Sequence, residues 1–258
     1  MLEFDARAAR HIQRLYSTPD IVAQRAEVLA LLAPRPGEAV LDVGSGPGFL
    51  VASIAAAVAP EGVVHGVDPS PAMNALAREQ TAGSPGAHID EGDASALPYP
   101  DARFDAAVST QVYEYVTDVP AALTELHRVL RPGGRVLILD TDWDSLVWHA
   151  ADRALQDRIM AAWAEHLADP HLPRTLSGHL RRSGFRVTGR AVIPLFNPTH
   201  EAETFSAMTI RTIADFVVGR QGVSQDDVDA WAADLRARAA EDDYLFSVNR
   251  YCFTAVAR

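Results

Sequence analysis

The chain has 258 residues, 48% of them hydrophobic, and a formal net charge of −11. That size suits one α/β domain with insertions and a core that needs no staples, and that hydrophobic share excludes a disordered chain. The acidic balance, with no basic block, speaks against DNA, tRNA or rRNA as a substrate, because nucleic acid asks for a positive face.

Residues 1–5 are charged and lack the apolar run of a signal peptide, and the longest apolar stretch, residues 50–59, is far below a membrane span. A soluble, cytoplasmic protein with no membrane partner is expected. Residues 6–16 and 21–32 read as helices. Leu2, Phe4, Ile12 and Leu15 offer an apolar face in the first, and Val22, Ala26, Leu29 and Leu32 in the second. Ser17-Thr18-Pro19-Asp20 supplies the break and the next N-cap.

After Pro34-Arg35-Pro36-Gly37, the run Val40-Leu41-Asp42-Val43-Gly44-Ser45-Gly46-Pro47-Gly48 is the stretch that organises the chain. It reads as a strand over 39–44, a tight turn and the start of a helix over 48–59. Glycines let such a turn bend sharply and let a ligand approach the backbone, and the N–H groups of the helix start favour an anionic or polar group. A second short strand ends at Asp68, where a carboxylate can accept hydrogen bonds from both ribose hydroxyls. Turn and acid together describe a nucleoside-cofactor site on a Rossmann-like sheet. The spacing G-x-G-x-G, with Asp42 two residues before the first glycine, departs from the dinucleotide fingerprint G-x-G-x-x-G. A carboxylate beside a pyrophosphate is repulsive; beside an ammonium it is favourable. S-adenosyl-L-methionine has an ammonium and no phosphate.

Ser70 and Pro71 then cap and start a helix with Met73, Leu76 and Ala77 at helical spacing. A short strand at 87–89 leads to Gly92-Asp93-Ala94. A fourth strand, 106–109, delivers Thr110, Gln111, Tyr113, Glu114 and Tyr115 to the C-terminal edge of the sheet, where ligands bind in open α/β folds. A helix from about Asp118 stops at Pro132-Gly133-Gly134, and strand five covers 135–140. His127 in that helix reads as structural.

The stretch from Thr141 to His149 holds two Trp, two Asp and a His in nine residues. It suits either a substrate pocket or a helix start with packed indoles. An amphipathic helix is expected over 152–168, another over 176–183, and strand six from Phe185 to about Val192, with residues 193–196 extending it. Residues 198–245 are too long for a plain connection and read as a helical cap, with Phe205, Met208, Ile213 and Phe216 on one helix and Val228, Trp231 and Leu235 on the next. Residues 245–257 return as strand seven, with Cys252 as a buried strand residue. The lone cysteine excludes a disulfide within the chain, and no His-x-Glu or His-x₃-His spacing suggests a metal.

With these residues on the page, the chain resembles the class I S-adenosylmethionine-dependent methyltransferases, in the small-molecule branch of the ubiquinone/menaquinone-biosynthesis type. The resemblance rests on Asp42 to Gly48, on Gly92-Asp93-Ala94 with Leu97-Pro98-Tyr99-Pro100-Asp101 and Phe104-Asp105, and on His127 to Arg135. It thins beyond strand five, and Glu114-Tyr115 stands where the family often has Glu-His. The resemblance implies a seven-stranded Rossmann-like sheet with its last strand antiparallel between five and six, and helices on both faces. It further implies an N-terminal helical lid over residues 1–38, a cofactor core over 39–140, and substrate caps at 141–183 and 198–245. Asp42, Gly44, Gly46 and Asp68 are the cofactor residues, with Pro69 and Met73 beside the adenine, Asp93 and Ala94 bonding it, Thr110 at the crevice, and Tyr16 as the lid hydroxyl, or else a helix-packing residue. Methyl transfer to a small, apolar or aromatic molecule is the activity this implies. His149, Tyr113 and Glu114 are the candidate bases. A non-methylating enzyme on the same scaffold and a silent cofactor-binding subunit are the alternatives.

Overall fold

The computed structural model describes residues 6–258. Leu2 and Phe4, offered above as part of a helix face, lie outside them. Eight strands form one sheet: β1 (Ala39–Val43), β2 (Val63–Asp68), β3 (Ala87–Glu91), β4 (Phe104–Thr110), β5 (Leu130–Thr141), β6 (Val147–Trp148), β7 (Phe185–Asn197) and β8 (Phe246–Ala257). The order is β3-β2-β1-β4-β5-β8, with both β7 and β6 also pairing β8. Strands β1 to β5 run parallel, and β8 is antiparallel to β5 and to β7. This is the Rossmann-like sheet with an antiparallel closing strand that the sequence implies. It carries one strand more than expected. The two-residue β6 pairs with Ser247 and Phe246 of β8, beyond the point where β5 ends its own pairing at Arg250.

Both faces of the sheet are covered, and the strands show why. Along β1, Val40 packs with one apolar cluster and Leu41 with another; β5 alternates in the same way, Leu137 and Leu139 against Val136 and Ile138. One face meets Leu50, Val51, Ile54 and Val58 of α3 (Phe49–Val58), and Val28 and Leu32 of α2 (Pro19–Leu32). The opposite face meets Leu123 and Leu126 of α5 (Val119–Val129), and Leu176 and Leu180 of α7 (Pro173–Arg182). Cys252 is buried on the α3 face, and burial pushes its thiol up to about 12.

A third apolar cluster lies over the C-terminal edge of the sheet. It joins α1 (Ala6–Leu15), α4 (Pro71–Thr81), α6 (Arg153–Ala164), α8 (Phe205–Val217) and α9 (Gln225–Ala240). Trp148 is inside it, edge-on to Trp231 at 5.3 Å and to Phe246 at 4.8 Å, so for this indole the packed alternative is the one observed. The indole N–H groups find partners as buried ones do: Trp148 Nε1 donates to the Tyr244 hydroxyl (3.0 Å) and Trp231 Nε1 to Gln156 Oε1 (2.5 Å). The helices begin at the residues the sequence marks. Ser70, Asp118, Asp152 and Ser224 each accept a backbone N–H from the first turn.

One boundary moves. Helix α5 ends at Val129, before the Pro-Gly-Gly, and β5 starts at Leu130, opposite Phe104, five residues earlier than expected. The backbone is paired there, with the Ala102 and Arg103 N–H groups donating to the carbonyls of Arg128 (2.9 Å) and Val129 (2.8 Å), and the Arg128 side chain holds the same segment. Its guanidinium donates to the carbonyls of Leu97 (3.1 Å) and Tyr99 (2.8 Å) and to the carboxylates of Asp101 and Glu125 (2.8 Å each). Glu125 in turn accepts the Leu97 N–H at 3.0 Å. This hub clamps the chain after β3 onto α5. Replacing Arg128 with Ala should lower stability by about 1–3 kcal/mol, the cost of leaving such acceptors unpaired. Urea unfolding reads it, and an unchanged midpoint would remove Arg128 from this role.

Candidate functional site

The glycine turn follows β1 and is built against β2 and β4. Gly44 has φ +71°, and a Cβ there would lie 2.2 Å from a Val112 methyl. No side chain fits, so glycine is required for both conformation and space. The N–H groups of Gly44 and Ser45 both donate to the Val67 carbonyl at 2.8 and 3.1 Å, which anchors the turn to the end of β2. Asp68 closes the assembly. Its Oδ2 accepts the Gly46 N–H at 3.0 Å, its Oδ1 accepts the Ser70 N–H at 2.9 Å, and its carbonyl accepts Asn74 Nδ2 at 2.9 Å. Burial nevertheless raises the Asp68 carboxyl above its usual range, against the pull of the two N–H donors.

A cavity of about 430 Å³ opens above this assembly. Of the ten cofactor residues read from the sequence, eight line it: Tyr16, Asp42, Gly44, Gly46, Asp68, Pro69, Met73 and Thr110. Asp93 and Ala94 do not. They follow β3, where Glu91 stands in register with Asp68, and Asp93 uses its carboxylate to accept the Ser95 N–H at 2.7 Å. The apolar wall comes from Ile12 of α1 and from Ile21 and Val28 of α2. Helix α2 is tethered across the cavity by Asp20, whose Oδ2 accepts Asn197 Nδ2 (2.8 Å) and the Phe205 N–H (2.9 Å).

The floor carries an unusual set of charges. Asp42 is buried, and burial together with the nearby Asp68 charge pushes its carboxyl up to about 8. Glu114 and Asp140 lie beneath the cavity, both raised by burial. Glu114 accepts Trp143 Nε1 at 3.2 Å; Asp140 Oδ1 accepts the Val112 N–H at 3.0 Å, and its Oδ2 has no partner. Against these stands Arg250 of β8, buried and facing the cavity. Gln111, at the end of β4, is held at φ +58°, a strained conformation for a residue with a side chain. Its N–H donates to the Leu139 carbonyl (2.7 Å), and its side-chain oxygen accepts the Thr141 hydroxyl (2.6 Å). Sequence reasoning passed over Arg250 entirely. Its one signal was an arginine in an otherwise alternating apolar strand.

The three candidate bases separate. His149 sits on a different cavity of about 1070 Å³, with Trp143, Asp144, Arg153, Asp157 and His171, half-exposed and 3.2 Å from Asp243. It is not among the residues around Asp68. The insertion carries it away because β6 pairs with β8 directly before it. Tyr113 is wholly buried, its hydroxyl has no hydrogen-bond partner, and it does not line the first cavity. Glu114 is buried below the floor. Near the second cavity, Asp142, Asp144 and His171 bring ligand-type atoms within 4.8 Å of one another. Arg174 occupies both carboxylates, at 2.6 Å each, and with His171 it holds the Asp142 carboxyl below its usual value. The distance in sequence between 142 and 171 hid this cluster.

Among the described residues no helix is long and apolar enough to cross a membrane. Residues 41–138 match a family model described as a methyltransferase domain. A relative in Streptomyces fradiae, an uncharacterized 37.1 kDa protein in transposon Tn4556, is 33% identical over 225 residues, spanning 85% of this chain and 61% of that protein. A demethylmenaquinone methyltransferase of Symbiobacterium thermophilum is 41% identical over 109 residues, 41% of this chain and 43% of that enzyme. The chain thus spans less than two thirds of the length of the curated relatives it matches. Among solved structures, the [4+2]-cyclase SpnF has the same fold, with a TM-score of 0.59 and 23% identity over 91% of this chain and 80% of that one. The domain match over residues 41–138, the relatives and the sheet make the chain similar to the class I S-adenosylmethionine-dependent methyltransferases.

Proposed function

We propose that this protein transfers a methyl group from S-adenosylmethionine to a small, apolar or aromatic molecule. The observation that carries the reading is one cavity that joins Asp42, Gly44 and Asp68 to an apolar wall supplied by α1 and α2. The residues fit the cofactor. The turn is open at Gly46, where a Cβ would meet nothing within 4 Å and a ligand can approach the backbone. The two backbone donors hold Asp68 facing the cavity, as a ribose diol requires. Asp42 is a buried acid with a raised pKa, and a ligand ammonium would relieve it. When bound, S-adenosylmethionine supplies a methyl already activated by its sulfonium. The protein then has to align an acceptor and exclude water. Tyr16, Tyr115, Ile12 and Met73 form walls suited to that task. The demethylmenaquinone methyltransferase among the relatives favours a quinol-like aromatic acceptor.

Of the three candidate bases we retain Glu114. It is the one whose charge is felt by Tyr16, Tyr115 and Arg250, all on the cavity wall. Burial lifts its carboxyl toward neutrality, where a proton acceptor is most effective. Glu114→Gln should lower turnover, flatten its pH profile and leave cofactor affinity intact. An unchanged profile would remove Glu114 from the reaction.

The experiment that tests the reading is transfer of a labelled methyl from S-adenosylmethionine to a panel of hydroxylated naphthalenes and quinols. Labelled product is expected; product without label would mean that the scaffold runs a non-methylating reaction. In calorimetric titration, Asp68→Ala should weaken S-adenosylhomocysteine binding by roughly 1–3 kcal/mol, about 5- to 150-fold. Equal affinity in the folded variant would sink the ribose role.

Asp42 gives a pH test. Its folded pKa, about 8, lies above its ordinary value, so the folded state holds a proton that the unfolded state releases. Stability contributed this way is complete at low pH and is lost as pH rises from about 4 to about 8. Asp42→Asn should therefore melt higher than wild type at pH 9, with the gap closing toward pH 5. Binding of an ammonium ligand at pH 7 should also release a proton, read from calorimetry in two buffers, and Asp42→Asn should abolish that release.

A further inference from the structure

Arg250 is 4% exposed and lines the 430 Å³ cavity. It stands in register with Thr141 at the end of β5 and with Ile193 of β7, which places it at the C-terminal edge of the sheet. Its guanidinium lies 5.0 Å from the centre of the Phe205 ring. Its Nε has no hydrogen-bond partner, and among the described residues it forms no ion pair within 4.0 Å. Arg128, Arg135, Arg174 and Arg238 are all paired. Three acids feel Arg250 without touching it: Glu114 accepts the Trp143 indole, Asp20 accepts Asn197 and the Phe205 N–H, and Asp140 accepts the Val112 N–H with one oxygen. A guanidinium does not shed its proton in a protein, so this is a buried cation with acids nearby and, among the described residues, no ion pair in contact with it. Such a charge is costly unless a ligand pairs with it.

The residues read as the cofactor site lie on other strands. Asp68 belongs to β2, Asp42 to β1 and Thr110 to β4; β5 and then β8 follow in the sheet. At roughly 4.8 Å per strand, Arg250 stands about 14 Å from β1 and farther from β2. The glycine-turn side has its own cation, Arg25, over the Phe49 ring at 4.7 Å where α3 begins. Arg250 lies on the other side of the cavity, beside Tyr16 and Tyr115.

We propose that Arg250 is the anion subsite for the methyl acceptor, which carries a carboxylate or an acidic phenol that ionises against this guanidinium. The proposal rests on the methyltransferase reading. With a phenol, the ionised oxygen's conjugated electron pair forms the bond to the methyl carbon as the carbon–sulfur bond breaks. The sulfur keeps the bonding pair, and the acceptor's proton leaves to Glu114 or solvent. With a carboxylate, the pairing fixes orientation and the nucleophile is a separate atom.

The test uses protein saturated with S-adenosylhomocysteine and three probes: 2-naphthoate, 2-naphthol and the neutral 2-naphthalenemethanol. One anionic or ionisable probe should bind at least tenfold more tightly than the neutral alcohol. A preference for naphthoate identifies a carboxylate; naphthol affinity that rises with pH identifies a phenolate. Arg250→Met should erase the preference while changing S-adenosylhomocysteine affinity less than twofold. Arg250→Lys, which keeps the charge, should retain part of it. Without ligand, Arg250→Met should melt above wild type, because an unpaired buried charge has been removed. No preference in wild type, a preference that survives in Arg250→Met, or a lower melting temperature for that variant would overturn the proposal. So would a tenfold loss of S-adenosylhomocysteine affinity, which would give the guanidinium to the cofactor carboxylate. The probe and melting comparisons are repeated without S-adenosylhomocysteine. Failure of cofactor binding then counts against the methyltransferase reading, and Arg250 receives its own answer.

Discussion

The site depends on one carboxylate. Asp68 accepts the Gly46 N–H with one oxygen and the Ser70 N–H with the other, so a single side chain binds the turn after β1 to the start of α4. Each bond is charge-assisted and stronger than a neutral one. The geometry works only because Gly44 has no side chain: with a Cβ, the turn would collide with Val112, and Gly46 would move out of reach of Asp68. Val112 is itself fixed, its N–H bound to Asp140. The ends of three neighbouring strands, β2, β1 and β4, and the strand after them, β5, are thereby locked to one another through polar contacts at the edge where a ligand has to sit.

That locking concentrates acidic groups. Asp42, Asp68, Glu114 and Asp140 are all buried or nearly so, and burial raises all four carboxyls. A pocket of this kind is poorly solvated for anions and suits a guest with an ammonium and a sulfonium better than one with a pyrophosphate. Arg250 is the opposite pole of the same field. It stabilises Glu114 without contacting it, and like Arg25 it lines the cavity with a positive group.

Legibility in the sequence follows the range of the interactions. Gly44, Gly46 and Asp68 are readable because strand, turn and helix N-terminus are local, and the alternation of Val40 with Leu41 or Leu137 with Ile138 assigns both faces of the sheet in advance. Ser70 and Asp118 mark their helices for the same reason. The acceptor end is different. His149 looked close to the site because it follows β5 by eight residues, yet the pairing of β6 with β8 turns that stretch away toward Asp243. For Trp148 the sequence left pocket and packed core open, and only Trp231 and Phe246, some 80 to 100 residues later in the chain, come back to pack it while it still borders the second cavity. Arg250 was invisible for the mirror-image reason. In β8 it occupies an ordinary alternating position, and only the arrival of β5, β7 and α8 around it makes it buried.

These two halves divide the labour of the fold. The glycine-turn half is built from contacts between residues a few positions apart, or between adjacent parallel strands. The acceptor half is assembled from α1, α2, α8 and the far end of β8, and its members meet only after the whole chain has folded. Asp20 shows the coupling between them: its carboxylate joins α2, which walls the cavity, to Asn197 and to the first residue of α8, whose ring lies against Arg250. Displacement of α2 therefore disturbs the surroundings of the one buried cation as well as the apolar wall.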